Sequence, residues 1–154
     1  MFKGMRRSDR EIGIEEIKQI LIDGDYGILA TIGENGYPYS VPLSYVYHNE
    51  AVYFHCAMEG NKLDNIKHSE KVSFCVVGKT KVLPSEFSTE YESVIIFGSA
   101  AEASGEEKKE ALIALAYKYS PEFKAEGLQY IDRAIAKTCV VKINIDKVTG
   151  KARK

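Results

Sequence analysis

Several classes of protein are excluded by what this chain lacks. It has no apolar run of about 20 residues, the length a membrane-spanning helix needs. Its N-terminal stretch MFKGMRRSDREI carries two arginines but no apolar segment behind them, so no secretion signal is legible and a cytoplasmic protein is expected. Only four prolines, with 45% hydrophobic and 28% charged residues, exclude a disordered or fibrous chain. Charge of one sign is also missing: 21 basic against 22 acidic residues leave a net charge of -1, which argues against nucleic acid or a membrane surface as the main partner. Cysteine is scarce. Cys56, Cys75 and Cys139 are odd in number, and each lies inside an apolar run that reads as strand. No CxxC or Cys/His spacing offers a tetrahedral metal site, so they read as buried, reduced thiols and no metal is expected.

What is present suits a single domain over residues 1–154, since a chain of this size buries roughly 68–70% of the surface it exposes when unfolded. Ile14, Ile17, Ile20 and Leu21 recur at helical spacing before Gly24, which predicts a helix over 14–23. The period then shortens. Residues 26–33 form a compact β-rich run, and the Asn-Gly pair before Tyr37 favours a tight hairpin. From Tyr37 to His48 the side chains alternate, with Tyr39, Val41, Leu43 and Tyr45 on one face and Ser40, Pro42 and Ser44 on the other.

Further strands are predicted over 51–57, 71–78, 91–104, with a bend or bulge at Gly98, and 138–146. Residues 79–89, mixing charge, proline and serine, read as a loop. Helices are expected over 61–68, over 105–119 up to Pro121, and over 123–136, where Leu128, Ile131 and Ile135 share a side. Six strands, mostly in hairpins, do not alternate with helices as βαβ units would. The expected class is therefore mainly β (α+β), an antiparallel barrel with flanking helices.

Familiar nucleotide motifs fail on spacing. The GKT at 78–80 would need its first phosphate-loop glycine at Ser73, inside a strand, and no G-x-G-x-x-G or G-x-S-x-G occurs. The stretch HCAMEGNKLDNI at 55–66 is more informative. Gly60 permits a positive φ or close backbone approach, and Asn61 is a good N-cap for the helix that follows. Lys62 then falls in the first turn, where the helix dipole prefers an acid. Two readings stand: a solvated lysine paired with Glu59 or Asp64, or an ammonium that joins free N–H groups around a phosphate.

A phosphate alone would not hold a ligand. A helix start contributes roughly 0.3–1 kcal/mol and a charge-assisted hydrogen bond roughly 1.5–3, against about 8 for micromolar binding. A large flat group would have to supply the rest. Pro42, which lacks an N–H, opens or ends the sheet beside Ser40 and Ser44, so this strand either receives a heterocycle or is a plain edge protected by proline.

These pieces in this order resemble the pyridoxamine 5'-phosphate oxidase-like FMN-binding split-barrel superfamily, most closely its branch related to the 5-nitroimidazole resistance (Nim) proteins. The residues that carry the likeness are MRRSDREI, GYPYSVPLSYVY, VYFHCAMEGNKLDNIKHSEKVSF, YESVIIFGSA and IDKVTGKA, spread over nearly the whole chain. The resemblance implies a six-stranded split barrel and a homodimer with FMN in each of two interface clefts. Val41, Pro42, Leu43 and Ser44 would then lie along the isoalloxazine ring, with His55 and Cys56 ending the strand beside it. Gly60, Asn61, Lys62 and Leu63 would hold the ribityl phosphate, and Tyr91 and Ser93 would approach from a neighbouring strand or from the partner. The arginine-rich motifs of the vitamin B6 oxidases are not found.

The function so implied is an FMN-dependent oxidoreductase, with NAD(P)H as donor and a small aromatic or nitro-containing acceptor. His55 is the candidate catalytic residue, as proton donor or anchor for an anionic substrate, its alternative being a packed strand histidine. A flavin-binding protein without turnover, and a binder of haem or F420 in the same cleft, are the competing readings.

Overall fold

The computed structural model describes residues 2–154. An amphipathic helix α1 (Ile14–Asp23) buries Ile17, Ile20 and Leu21 and ends where the Gly24 N–H meets the Ile20 carbonyl oxygen at 2.9 Å. Strands β1 (Gly27–Ile32) and β2 (Pro38–Leu43) form the predicted hairpin, whose turn has Gly36 at φ 80°. The Asn35 side-chain oxygen accepts from the Tyr37 N–H at 3.0 Å, the local bond that makes Asn-Gly a turn signal. Strands β3 (Val46–His48) and β4 (Ala51–Cys56) follow, then α2 (Asn61–His68), β5 (Lys71–Leu83), β6 (Ser88–Ala103), the helices α3 (Gly105–Tyr119) and α4 (Lys124–Ala134), and β7 (Cys139–Arg153).

Among the described residues seven strands make one antiparallel sheet in the order β2-β1-β5-β6-β7-β4-β3. The expected count of six changes because the run from 37 to 48 breaks at Ser44 and Tyr45. Tyr45 is fully buried, and its hydroxyl donates to the Leu21 carbonyl oxygen at 2.6 Å. Its own N–H goes to the Tyr119 hydroxyl at 3.0 Å instead of to a strand neighbour. Side-chain burial and a helix-borne partner thus outweigh strand continuity.

The break also shapes the sheet. Six steps of about 4.8 Å would part the edges of a flat seven-stranded sheet by about 29 Å, whereas a two-residue link spans about 10 Å at most. The sheet is therefore curled until its edge strands β2 and β3 come together at Ser44 and Tyr45, but no ladder closes between them.

The stretch expected as a loop over 79–89 is mostly ladder: β5 runs on to Leu83 and pairs with β6 down to Leu83 opposite Ser88, leaving only Pro84–Glu86 as a turn. Both faces of this protruding ribbon are wet, so it needs no apolar alternation and gives no strand signal. The bulge at Gly98 is present as a one-residue register shift against β7. A Cβ there would run into the Asn144 carbonyl oxygen, and the shift lets β7 stay paired with β6 well beyond the expected end at residue 146.

Two apolar clusters result. One fills the inside of the curled sheet with Leu29, Tyr45, Phe54, Phe74, Ile96 and Ile143, closed by α1 and by Leu63 of α2. The other packs α3 and α4 on the outer side of β3 and β4, through Ala111, Leu112, Leu115, Ile131, Tyr53 and Val140. Leu128, expected on the same side as Ile131, is exposed.

Candidate functional site

Strand β4 delivers His55 and Cys56 to its end, after four buried residues have tied it into both cores. The β3–β4 register, Val46 opposite Tyr53, extends to set Ser44 level with His55. Both are exposed, and both line a cleft of about 660 Å³ whose other walls are α3 and α4. Partial burial holds the His55 imidazole below its ordinary pKa, which favours its neutral form. Val41 and Leu43 turn inward against the main core while Pro42 points out, on an edge strand paired only with β1. That is a position where a missing N–H is tolerated.

Cys56 lies directly opposite Cys139 of β7. Burial raises both thiols, Cys139 to about 11, while the nearby Lys62 ammonium works against the rise at Cys56. Cys139 is buried, Cys56 and Cys75 are half-buried, and all three are free. The start of α2 therefore stands beside the end of β4.

Gly60, not Asn61, is the N-cap, with φ 148° and ψ 170°, a conformation open essentially to glycine alone. Asn61 becomes the first helical residue, and no side chain caps the helix. Apart from the Asp64 N–H, which reaches the Gly60 carbonyl oxygen at 3.1 Å, the first-turn amides of Asn61, Lys62 and Leu63 have no helical acceptor to meet. Lys62 makes no ion pair with Glu59, Asp64 or any other described residue. Leu63 is buried in the main core and fixes the helix in place. Asn65 helps, donating to the Thr31 hydroxyl at 3.0 Å.

Tyr91 and Ser93 lie elsewhere. They sit at least nine residues along β6 from Glu102, whose charge reaches Cys56, which is about 30 Å of strand. No neighbouring strand of the same chain carries them to the Lys62 end. Around Tyr91 a basic corner forms instead: the Arg10 Nη1 donates to its hydroxyl at 3.3 Å, the Lys151 ammonium stands 5.6 Å from its ring centre, and Arg153 is its β7 partner. The Arg10 hydrogen bond, more than any other influence, lowers the Tyr91 pKa.

Sequence reasoning missed the α3–α4 wall of the cleft and the lysine behind it. Lys118 Nζ is buried with no hydrogen-bond partner, 3.8 Å from the centre of the Tyr45 ring, and burial lowers its pKa to about 8. The available signal was a lysine three residues after Leu115 and beside Tyr119, on the face that packs inward. Among the described residues no group of three His, Cys, Asp or Glu side chains could hold a metal ion, and no helix is long and apolar enough to cross a membrane.

Comparison with known proteins places this fold in a family. The family model described as pyridoxamine 5'-phosphate oxidase matches residues 14–152, and the chain belongs to that family. The solved structures it resembles include one of the Nim-related kind. Among solved structures it is similar to a candidate 5-nitroimidazole antibiotic resistance protein from Bacteroides thetaiotaomicron, at 25% identity over 99% of this chain and 90% of that one, TM-score 0.79. The conserved hypothetical protein Rv2991 from Mycobacterium tuberculosis shares 19% identity over 97% of this chain and 90% of its own, TM-score 0.84. A FAD and haem binding protein from Mycobacterium smegmatis shares 19% identity over 94% and 74% respectively, TM-score 0.77. No curated protein sequence matches the chain.

Proposed function

We propose that this protein binds FMN as a homodimer and, with NAD(P)H as donor, reduces a small aromatic or nitro-containing acceptor. The observation that carries the reading is the uncapped start of α2, with its free amides and an ion-pair-free Lys62, placed directly after His55 and Cys56. A lysine in that turn opposes the helix dipole, and a phosphate dianion reverses the sign of the problem by meeting both amides and ammonium. One helix start with one lysine matches a single terminal phosphate. Open space around Gly60 leaves room for it. The named FAD and haem binder of the same fold supports a flavin in this class of cleft, and the curled sheet is read as the family's split barrel.

Gly60, Asn61, Lys62 and Leu63 would hold the phosphate through main-chain N–H groups and the Lys62 ammonium. Pro42 and Ser44, on the unpaired edge and its continuation, would present main chain to the ring system, with Val41 and Leu43 anchoring that strand from inside. FMN, when bound, supplies two-electron exchange between a nicotinamide and an acceptor. His55, neutral and exposed at the end of β4, would hold or deliver a proton at its imidazole beside the acceptor. Cys56, with its thiol raised by burial, serves as wall and not as nucleophile.

The homodimer is supported by the outer face of the sheet. Val77 (49% exposed), Ile95 (41%) and Phe97 (38%) share this face with Tyr91 and Ser93, and Phe2 stacks on Phe97 at 5.0 Å. An apolar strip of this kind on a sheet face calls for a cover. In such a dimer Tyr91 and Ser93, far from Lys62 within one chain, would serve the site only from the partner.

The visible spectrum of the purified protein tests the cofactor, since flavin and haem absorb differently; a colourless protein that ignores added FMN overturns the reading. Lys62→Glu is expected to weaken FMN binding at least about tenfold, the worth of one charge-assisted hydrogen bond, as read by quenching of flavin fluorescence. Unchanged affinity would remove the phosphate assignment. Anaerobic bleaching by NAD(P)H followed by reoxidation with a nitroaromatic separates an enzyme from a flavin carrier.

A further inference from the structure

The cleft beside His55 has more to it than a flavin site requires. Its volume of about 660 Å³ falls within the roughly 300–1,000 Å³ common to small-molecule sites. Leu112, Leu115 and Ile131 give it an apolar wall. Its rim carries two aromatic rings turned largely to solvent, Phe123 at 59% exposed and Tyr130 at 65%. Neither ring is part of the core beneath, which is closed by Leu112, Leu115, Ile131 and the buried Tyr53. Gly127 lets α4 lie close on α3, where a Cβ would come to 3.4 Å from that of Ala116, so the two helices form one continuous wall of the cleft.

Two opposite charges sit on the α4 wall. Glu126 and Arg133 are seven residues apart, hence on one stripe of the helix and separated by about 10.5 Å along its axis. Neither is paired with the other, and neither makes an ion pair with any described residue. A guanidinium at one end calls for a carboxylate, which it can meet with two parallel hydrogen bonds. A carboxylate at the other end calls for a donor. One para-substituted ring with a hydrogen bond at each end fills that span, its faces against Tyr130, Phe123 and the leucines. Ser44 and the neutral His55 remain on the sheet side as polar partners without net charge.

We infer that the cleft between α3, α4 and the end of β4 binds a planar aromatic carboxylate bearing a hydrogen-bond donor at its far end, with Arg133 on the carboxylate and Glu126 on the donor. The site borders the proposed flavin site at Ser44 and His55, but Arg133, Glu126 and the α3–α4 wall belong to it alone and its test needs no bound flavin.

Ligand-observed NMR and calorimetry on the protein as purified test this with three colourless probes: 4-hydroxybenzoate, its neutral analogue 4-hydroxybenzamide, and benzoate. The hydroxy acid is expected to bind about tenfold more tightly than either of the others, the effect of one charge-assisted hydrogen bond. Arg133→Gln should bring the acid down to the level of the amide and leave the amide unchanged. Glu126→Gln should erase the advantage over benzoate and keep that over the amide. Both side chains are exposed, so unaltered circular dichroism spectra and thermal transitions are expected for both variants. Equal binding of acid and amide, a preference that survives Arg133→Gln, or no binding of any probe overturns the assignment. Since none of these readouts uses flavin absorbance, the result is separate from that of the FMN titration.

Discussion

The interior of the curled sheet and the layer beneath α3 and α4 are both apolar, yet they are built differently. The first is filled by large side chains with almost no exposure, among them Tyr45, Phe54 and Phe74, drawn from strands distant in sequence. Tyr45 and Phe74 meet edge to face at 5.1 Å, and a Cβ on Gly27 would strike the Phe74 ring. The second has one large buried ring, Tyr53, among Ala103, Ala111, Leu112, Leu115 and Ile131, leaves Phe123 and Tyr130 outside, and borders the cleft. A dense core that tolerates no change of volume carries the fold, and a thinner, helix-covered layer is free to carry a site.

That contrast can be broken most forcefully at Phe74. Phe74→Ala is expected to cost about 3–5 kcal/mol in urea unfolding, because cavity and transfer losses add in a site that cannot collapse. Ile131→Ala should cost about 2 kcal/mol, at the low end for such truncations, since the helix layer can relax over the gap. Hydrogen exchange would then rise in α3 and α4 while the amides of β1, β5 and β6 stay protected; uniform loss of protection would mean that the two clusters are one cooperative unit.

Lys118 joins the regions, reaching from α3 to the Tyr45 ring. Its pKa is about 8 in the folded chain against an ordinary 10.5, so the folded state binds fewer protons and its stability rises with pH between those values. Lys118→Met should stabilise the protein at pH 7 by about 1–2 kcal/mol after allowance for solvent screening and a lost cation–π contact. The advantage should be full below pH 8 and gone above pH 10.5. A variant less stable at pH 7, or one whose advantage ignores pH, would show that the ammonium is well satisfied where it sits. The smallest change is expected at His55: His55→Gln should alter stability by less than about 0.5 kcal/mol, as at most exposed sites, while slowing reoxidation of the reduced protein by an acceptor. Equal turnover would return His55 to an ordinary strand residue.

Much of the architecture was legible because its signals are local. The helices over 14–23, 61–68 and 105–119 appear at those bounds, since their apolar spacing and stop residues act within a turn or two. The Asn-Gly hairpin and the bulge at Gly98 were likewise legible, each resting on a backbone need of one residue. The unusual helix start could be read because Gly60 and Lys62 break local rules for that position. The ribbon over 79–89 could not, as its pairing leaves no trace in hydrophobicity. The α3–α4 wall was missed for another reason: a Phe or Tyr on a helix reads as core until its exposure is known.

By itself the sequence determined the class of the fold, the bounds of its first three helices, the Asn-Gly hairpin and the irregular start of α2 at Gly60. All of these follow from periods of two or 3.6 residues and from single-residue conformational demands. Tertiary structure alone decided that Tyr45 would leave its strand for the core, that the two sheet edges would meet there, and that Tyr91 would lie far from Lys62. It also set Arg133 and Glu126 over the same cleft as His55. Such outcomes depend on which distant groups share one volume, and no local spacing encodes a contact whose partners lie dozens of residues apart.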